Sequence, residues 1–357
     1  FTVMSRLAAE CGAVNLSQGF PDFQAESALF DAVHRHMREG RNQYAPMAGV
    51  PELRQAIVDK VAALYGPRFD VESEVTVTAG ATQAIFTAIA AFVRPGDEVI
   101  IFEPVYDSYV PAIETVGGKA VYAQLQFPDY APDWAQVARL ISPKTRMIIV
   151  NSPCNPTGVT LNQAELKAIA GVAAQHGLLV ISDEIYEQFF FDGAPASMAG
   201  LCEHLVVLNG FSKMAGMTGW RVGFAAGPAD IIQQMNTLQQ YTFVCAPSMA
   251  QKAAVTALRI DTTEKIAAYK RKRDLIYEGL ASKFNVVKPG GAFYIFPEAP
   301  GGDGDAFVAK AIQNNILVIP GSVFSERKSN FRLSFAADDA TIERGVEALN
   351  KLAGEMA

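Results

Sequence analysis

Apolar positions change their period repeatedly along this chain. Short β-branched runs alternate with stretches in which apolar residues return every three or four positions. Val75-Thr76-Val77-Thr78 reads as a strand over 75–78, and Gly80 then opens a helix to about residue 93. Further strands are predicted over 99–102, 146–150, 178–182, 205–209 and 222–226, with a helix over 162–175 after a proline-rich loop. Strands alternating with helices imply an α/β fold, a mostly parallel sheet with helices on both faces. After about Pro247 the rhythm changes. A long charged helix over 263–284 precedes a strand at 293–296, a helix over 305–314, a strand at 330–335 and a last helix from Asp338. The predicted division is an N-terminal segment (1–43) packing with the small domain, a large domain (44–247) and a small α/β domain (248–357).

Composition narrows the partners. The chain has 357 residues, half of them hydrophobic and 19% charged, enough for a sizeable core. A net charge of −7 without a long basic run argues against nucleic acid. No apolar run approaches the roughly 18 residues of a membrane span. Cys11, Cys154, Cys202 and Cys245 lie far apart, and His34 and His36 fall on different sides of a helix, so no metal site is expected. Reduced thiols of a cytoplasmic protein are the expected state. Phe1 is not a methionine, so the native amino terminus is expected upstream, and a removed targeting segment stays open.

The candidate chemistry follows a positional rule. Gly80, Glu103, Asn151, Asp183 and Asn209 all fall where a predicted strand ends, and open α/β sheets bind ligands at the carboxyl ends of their strands. Lys213, in Ser212-Lys213, is a lysine in apolar surroundings, able to attack an aldehyde once its amine is neutral. Asp183 follows the apolar run 178–182 and would be costly there unless paired, although a helix N-cap would also explain it. Tyr186 and Asn155 can donate to a phenolate oxygen, although core packing and a turn before proline explain them equally well singly. Gly80-Ala81-Thr82 opens a helix after a strand, where free N–H groups and the helix dipole suit a phosphate, and Arg221 adds a permanent charge. Arg332 is a charge inside an apolar strand, either an edge residue facing water or a fork for a carboxylate. One amine, one carboxylate, one phenol, one amide and one guanidinium together suit pyridoxal 5'-phosphate (PLP).

Ser212-Lys213, Gly219-Trp220-Arg221-Val222-Gly223, Asn155-Pro156-Thr157-Gly158 and Asp183-Glu184-Ile185-Tyr186 resemble, in order and spacing, the fold type I PLP-dependent aminotransferases of class I/II. The resemblance covers essentially the whole chain. It implies a large domain with a mostly parallel seven-stranded sheet and a smaller α/β domain. It gives Lys213 the aldehyde, Asp183 the ring nitrogen, Tyr186 and Asn155 the phenolate, Arg221 the phosphate and Arg332 the substrate carboxylate. Tyr106 matches the aromatic that stacks on the ring, and Tyr44 a tyrosine that reaches the phosphate of the neighbouring subunit in a homodimer. Cis bonds at Glu103-Pro104 and Asn155-Pro156 are implied as well. Gly210 departs from the pattern, replacing a serine that contacts phosphate in aspartate aminotransferases.

A finer resemblance, in the segments 15–23 and 42–47, is to methionine-preferring bacterial aminotransferases, relatives of kynurenine and glutamine aminotransferases. The implied reaction is ping-pong transfer between an amino acid and a 2-oxo acid, with Lys213 as general base and then acid. Gly19, Phe20, Tyr106, Phe243 and Phe324 suit a large uncharged side chain, since no second arginine accompanies them. β-Elimination from cysteine S-conjugates starts from the same carbanion and stands as an alternative side activity. A non-catalytic sensor would carry a basic helix-turn-helix module before this domain, for which the sequence leaves no room unless truncation removed it. A nicotinamide dehydrogenase would need a glycine fingerprint that is absent.

Overall fold

The computed structural model describes residues 12–356. Cys11 therefore lies outside the described residues, as do positions 1–10 of the N-terminal segment. The strands are β1 (Val14–Asn15), β2 (Val75–Thr78), β3 (Glu98–Glu103), β4 (Lys119–Gln124), β5 (Thr145–Asn151), β6 (Leu179–Asp183), β7 (Leu205–Gly210), β8 (Gly223–Ala226), β9 (Tyr294–Ile295), β10 (Ile316–Leu317), β11 (Ile319–Pro320) and β12 (Phe331–Ser334).

Seven of these form one sheet in the order β2-β8-β7-β6-β5-β3-β4. Its inner strands are buried on both faces, and the alternation of side chains sorts them. Ile100, Ile148, Val150, Val180 and Val207 enter one apolar layer with the helices Pro51–Tyr65 and Gln163–His176. Val99, Ile101, Met147, Ile149, Ile181 and Val206 enter the opposite layer with the helix Ala81–Phe92. Period-two alternation between two covered faces is what a parallel sheet requires.

All pairings are parallel except those of β8, which runs antiparallel to both β2 and β7. The reason is local. The connection from Gly210 to Gly223 carries only turns and a short 3₁₀ turn (Thr218–Trp220), too little for a helical crossover. The chain must therefore return beside itself. Reversal puts the start of β8, not its end, at the carboxyl edge of its neighbours, with Gly223 beside both Thr78 and Gly210.

A second cluster gathers the helices Thr263–Leu280, Gly304–Gln313 and Asp339–Met356 around the small sheet β11-β12-β9. β1 pairs in parallel with β10, so the chain near residue 15 packs among C-terminal elements. Tyr186, Phe189 and Met214 belong to this same cluster, which makes the apolar interior continuous from one sheet to the other. Element bounds lie within a few residues of the sequence expectation, apart from the long charged helix, which stops at Leu280. β4, with a half-exposed pattern, is an additional edge strand that periodicity did not reveal. Both expected proline bonds are cis, as are Phe127-Pro128 and Ser152-Pro153.

Candidate active site

A cavity of about 380 Å³ opens at the carboxyl edge of the large sheet, between it and the small sheet. Asn151 and Asp183 enter it as the last residues of β5 and β6. The other strand ends behave differently. Glu103 turns aside, its carboxylate accepting from the Glu326 N–H at 2.5 Å and from Gln124. The Asn209 amide oxygen accepts from the N–H of Gly210 at 2.7 Å. Gly80 stands at the corner, with φ of 82°, which side chains rarely adopt, and Arg221 is packed where a Cβ would be.

Lys213 and Arg221 arrive from the β7–β8 connection. The Lys213 Nζ donates to the Gly19 carbonyl at 2.6 Å and lies 5.7 Å from the centre of the Tyr186 ring. Burial, with Arg332 and Arg221 nearby, brings its pKa down to about 8 against the opposing pull of Asp183. Arg221 is itself in the left-handed region (φ 54°), and its Nη1 donates to the Thr218 carbonyl at 2.8 Å. Ala81 and Thr82 line the cavity from the first turn of their helix, whose N–H groups have no intrahelical partner. Ser212 lines it beside Lys213.

Asp183 is fully enclosed. Its Oδ2 accepts from the Tyr109 hydroxyl at 2.7 Å and its Oδ1 from the Ile185 N–H at 3.2 Å. Burial raises its pKa, and the Tyr109 bond, the Ile185 N–H and Lys213 work against that rise. The Tyr186 and Tyr294 hydroxyls share a hydrogen bond of 2.9 Å, and burial pushes both phenols up. Tyr106 lines the cavity next to them, its phenol pushed up to about 12 mainly by burial.

Arg332 is not an edge residue facing water. β12 is the middle strand of the small sheet, and Arg332 is 1% exposed. Its Nη1 donates to Asn155 Oδ1 at 2.9 Å and its Nη2 to the Ser17 carbonyl at 3.1 Å. The guanidinium carbon lies 4.3 Å from the Tyr294 ring centre and 4.9 Å from that of Phe324. Phe324 packs against the arginine and is buried, and it is not among the residues that line the cavity. Gly19 and Phe20 do line it, Phe20 at the rim and 47% exposed. Tyr44 is 80% exposed and Phe243 half-buried, and neither reaches the cavity of its own chain.

Sequence reasoning did not single out Asp107, Tyr109 or Tyr294. In sequence Tyr109 and Tyr294 look like core aromatics, and Asp107 looks like a solvated loop carboxylate. Only the company of Tyr106 and Arg332 distinguishes them.

A carboxylate, a near-neutral amine, paired phenols and a guanidinium against an obligatory glycine make a donor set that fits a pyridine ring bearing an aldehyde and a phosphate. At Gly210 a Cβ would lie 3.1 Å from the Val222 carbonyl and 3.3 Å from Ile185, so a serine there would need its neighbours to shift.

The model of the family "Aminotransferase class I and II" matches residues 12–349. The chain belongs to the class I and II aminotransferases. Members of this family use PLP and act on amino acids and 2-oxo acids. The chain is 38% identical to the methionine aminotransferase of Escherichia coli, over 99% of this chain and 95% of that protein. It is 36% identical to a probable aspartate aminotransferase of Methanocaldococcus jannaschii, over 96% and 94%. The solved aromatic aminotransferase of Pyrococcus horikoshii superposes with a TM-score of 0.93 at 34% identity, over 99% of both chains. Similar relatives thus differ in the substrate that their names print. Among the described residues no helix is long and apolar enough to cross a membrane, and no group of three His, Cys, Asp or Glu side chains is placed to hold a metal.

Proposed function

We propose that this aminotransferase works on a large uncharged L-amino acid of the methionine or aromatic type. The observation that carries this reading is the charge of the cavity wall. Arg332 supplies the fork for an α-carboxylate, while beside Tyr106 the wall adds Asp107, whose carboxyl is pushed up by burial and held down by Arg332. A second substrate carboxylate would meet this anion instead of a second guanidinium. Phe20, Tyr106 and Tyr294 offer the apolar and aromatic surface that a thioether or ring prefers.

Bound PLP supplies an aldehyde for the substrate amine and a protonated ring that draws electrons from the substrate Cα. In this proposal Asp183 would pair with the ring nitrogen, Tyr186 and Asn155 would hold the phenolate oxygen, and Tyr106 would pack against the ring. Gly80, Ala81, Thr82, Ser212 and Arg221 would hold the phosphate. Lys213 Nζ, a free amine once the substrate amine has displaced it, would take the Cα proton and later return it.

The exposed Tyr44 and the half-buried Phe243 support a homodimer in which each chain completes its partner's site. The division into an N-terminal segment (1–43), a large domain (44–247) and a small domain (248–357) belongs to the same proposal.

Mixing the holoenzyme with a panel of amino acids in a stopped-flow instrument, and following the bound-cofactor absorbance, tests the substrate class. Methionine and aromatic amino acids should react fastest. Faster reaction with aspartate or glutamate defeats the reading, and pyruvate release from cysteine S-conjugates would add the lyase activity. Heterodimers of Tyr44→Phe and Lys213→Ala chains carry one site with neither lesion and should keep about half the wild-type turnover. A fully active monomer would sink the shared site.

A further inference from the structure

Nothing in the proton transfers described above uses Tyr109. It opens the helix Tyr109–Thr115 and is 1% exposed, within the apolar layer that holds Ile149 and Ile181. Its ring stands edge-on to Tyr106 at 5.6 Å, which accounts for the aromatic body. The hydroxyl is not explained by packing. It points at Asp183 Oδ2 with a 2.7 Å hydrogen bond, shorter and better placed than the 3.2 Å contact from Ile185 to the other oxygen. Asn151, whose Nδ2 donates at 2.9 Å, engages the backbone carbonyl of Asp183 and leaves the carboxylate to these donors.

We propose that Tyr109 is a positioning residue that holds the Asp183 carboxylate as an aimed anion, so that the proton between Asp183 and the ring nitrogen of bound PLP resides on nitrogen. The argument is one of proton balance. A single proton lies between a buried carboxylate and a pyridine nitrogen. Burial favours two neutral partners, a carboxylic acid and an uncharged ring. A donor fixed on one carboxyl oxygen stabilises the carboxylate more than the acid. The Tyr109 bond is the largest influence opposing the effect of burial on Asp183, ahead of Ile185 and Lys213. Without the hydroxyl the proton moves toward oxygen, and the ring becomes a weaker electron sink for the Cα carbanion.

The test is a nitrogen NMR measurement on holoenzyme reconstituted with ring-¹⁵N PLP, which reports the protonation of that nitrogen and needs no substrate. Wild type should give a pyridinium signal. Tyr109→Phe keeps the ring and removes the hydroxyl, and its signal should move toward neutral pyridine. Its turnover should fall about ten-fold, the worth of one buried hydrogen bond. The KM should change little, and the Cα-deuterium isotope effect should grow. A variant that loses turnover but keeps the wild-type pyridinium signal overturns the proposal, because a packing role alone would do that. Should the phenylalanine protein not fold, 4-aminophenylalanine at position 109 preserves the shape with a weaker donor. An unmoved nitrogen signal there overturns the proposal equally. Because the readout involves only the cofactor, it stands or falls apart from the substrate class proposed above.

Discussion

Asp183 and Arg332 are both buried charges on one cavity, yet they are held by opposite means. Asp183 ends a central strand of the large sheet, and its donors come from the next turn and from a helix packed on the same sheet. Arg332 sits mid-strand in the small sheet, between two aromatic rings, and it donates to Ser17 and Asn155, both remote in sequence. The floor of the cavity is thus built by one sheet, while the wall exists only where three chain segments meet. Damage to the floor should therefore strike the chemistry itself, and damage to the wall should strike recognition.

The largest effect separates the two cleanly. Lys213→Ala should abolish turnover with the thermal midpoint of the apoprotein unchanged or raised, because an enclosed ammonium is lost. Borohydride treatment of wild type should label the peptide containing Lys213, and label on another lysine would end the assignment. On the wall, Arg332→Lys keeps the charge but loses the planar fork, so kcat/KM should drop for every amino acid alike by about 2–5 kcal/mol. Cofactor absorbance should stay as it was. A loss confined to one substrate class would mean that Arg332 reads side chains instead. Asp183→Asn should slow single-turnover proton abstraction by about 3 kcal/mol with substrate binding little changed. Near-normal rates there would erase the distinction between floor and wall.

The position and identity of the floor residues were legible in sequence, because a charge directly after an apolar strand has few places to go. Asp183 stands out on that ground, although a helix N-cap would also explain it, and Lys213 as a lysine in apolar surroundings. On the wall, Gly19, Phe20 and Tyr106 are candidates from sequence, and so is Arg332, a charge within Phe331-Arg332-Leu333 that a solvent-facing edge would equally permit. What was hidden has a common cause. Tyr109 and Tyr294 satisfy the same apolar pattern whether or not their hydroxyls find a partner, and the pattern is blind to hydroxyls. Asp107 follows Tyr106 in a loop, where exposure is the ordinary outcome, and only the fold brings it toward Arg332. An aromatic near the site, such as Phe324, can face a substrate or brace an arginine, and spacing does not tell them apart. β4 lacks a clean alternation since an edge strand covers one flank with solvent.

Two smaller effects refine the contrast. With its pKa lowered to about 8, the Lys213 amine is protonated below that pH and neutral above it. Capture of PLP by the apoprotein should accelerate as pH rises through about 8 and then level off. A rate still climbing steeply beyond pH 10 would show an ordinary surface amine. Asp107→Asn removes one partly solvated negative charge from the wall. Its kcat/KM for aspartate and glutamate relative to methionine should rise about ten-fold, the scale of one such like-charge contact. An unaltered ratio would show that Asp107 plays no part in discrimination.

The reversed strand β8 has a consequence for when the protein becomes able to bind its cofactor. Val75 pairs with Ala226 and Thr78 with Gly223, so most of the large sheet lies between β2 and its partner in sequence. Such distant pairings form late, since closing a long loop costs entropy before any contact repays it. Gly80 and Arg221 hang on that last seam, one from each side. The phosphate cup is then among the final parts of the molecule to close, and partly folded chains should ignore PLP. Cofactor added during refolding should leave the early phases untouched and deepen only the native state, by RT ln(1 + [L]/Kd).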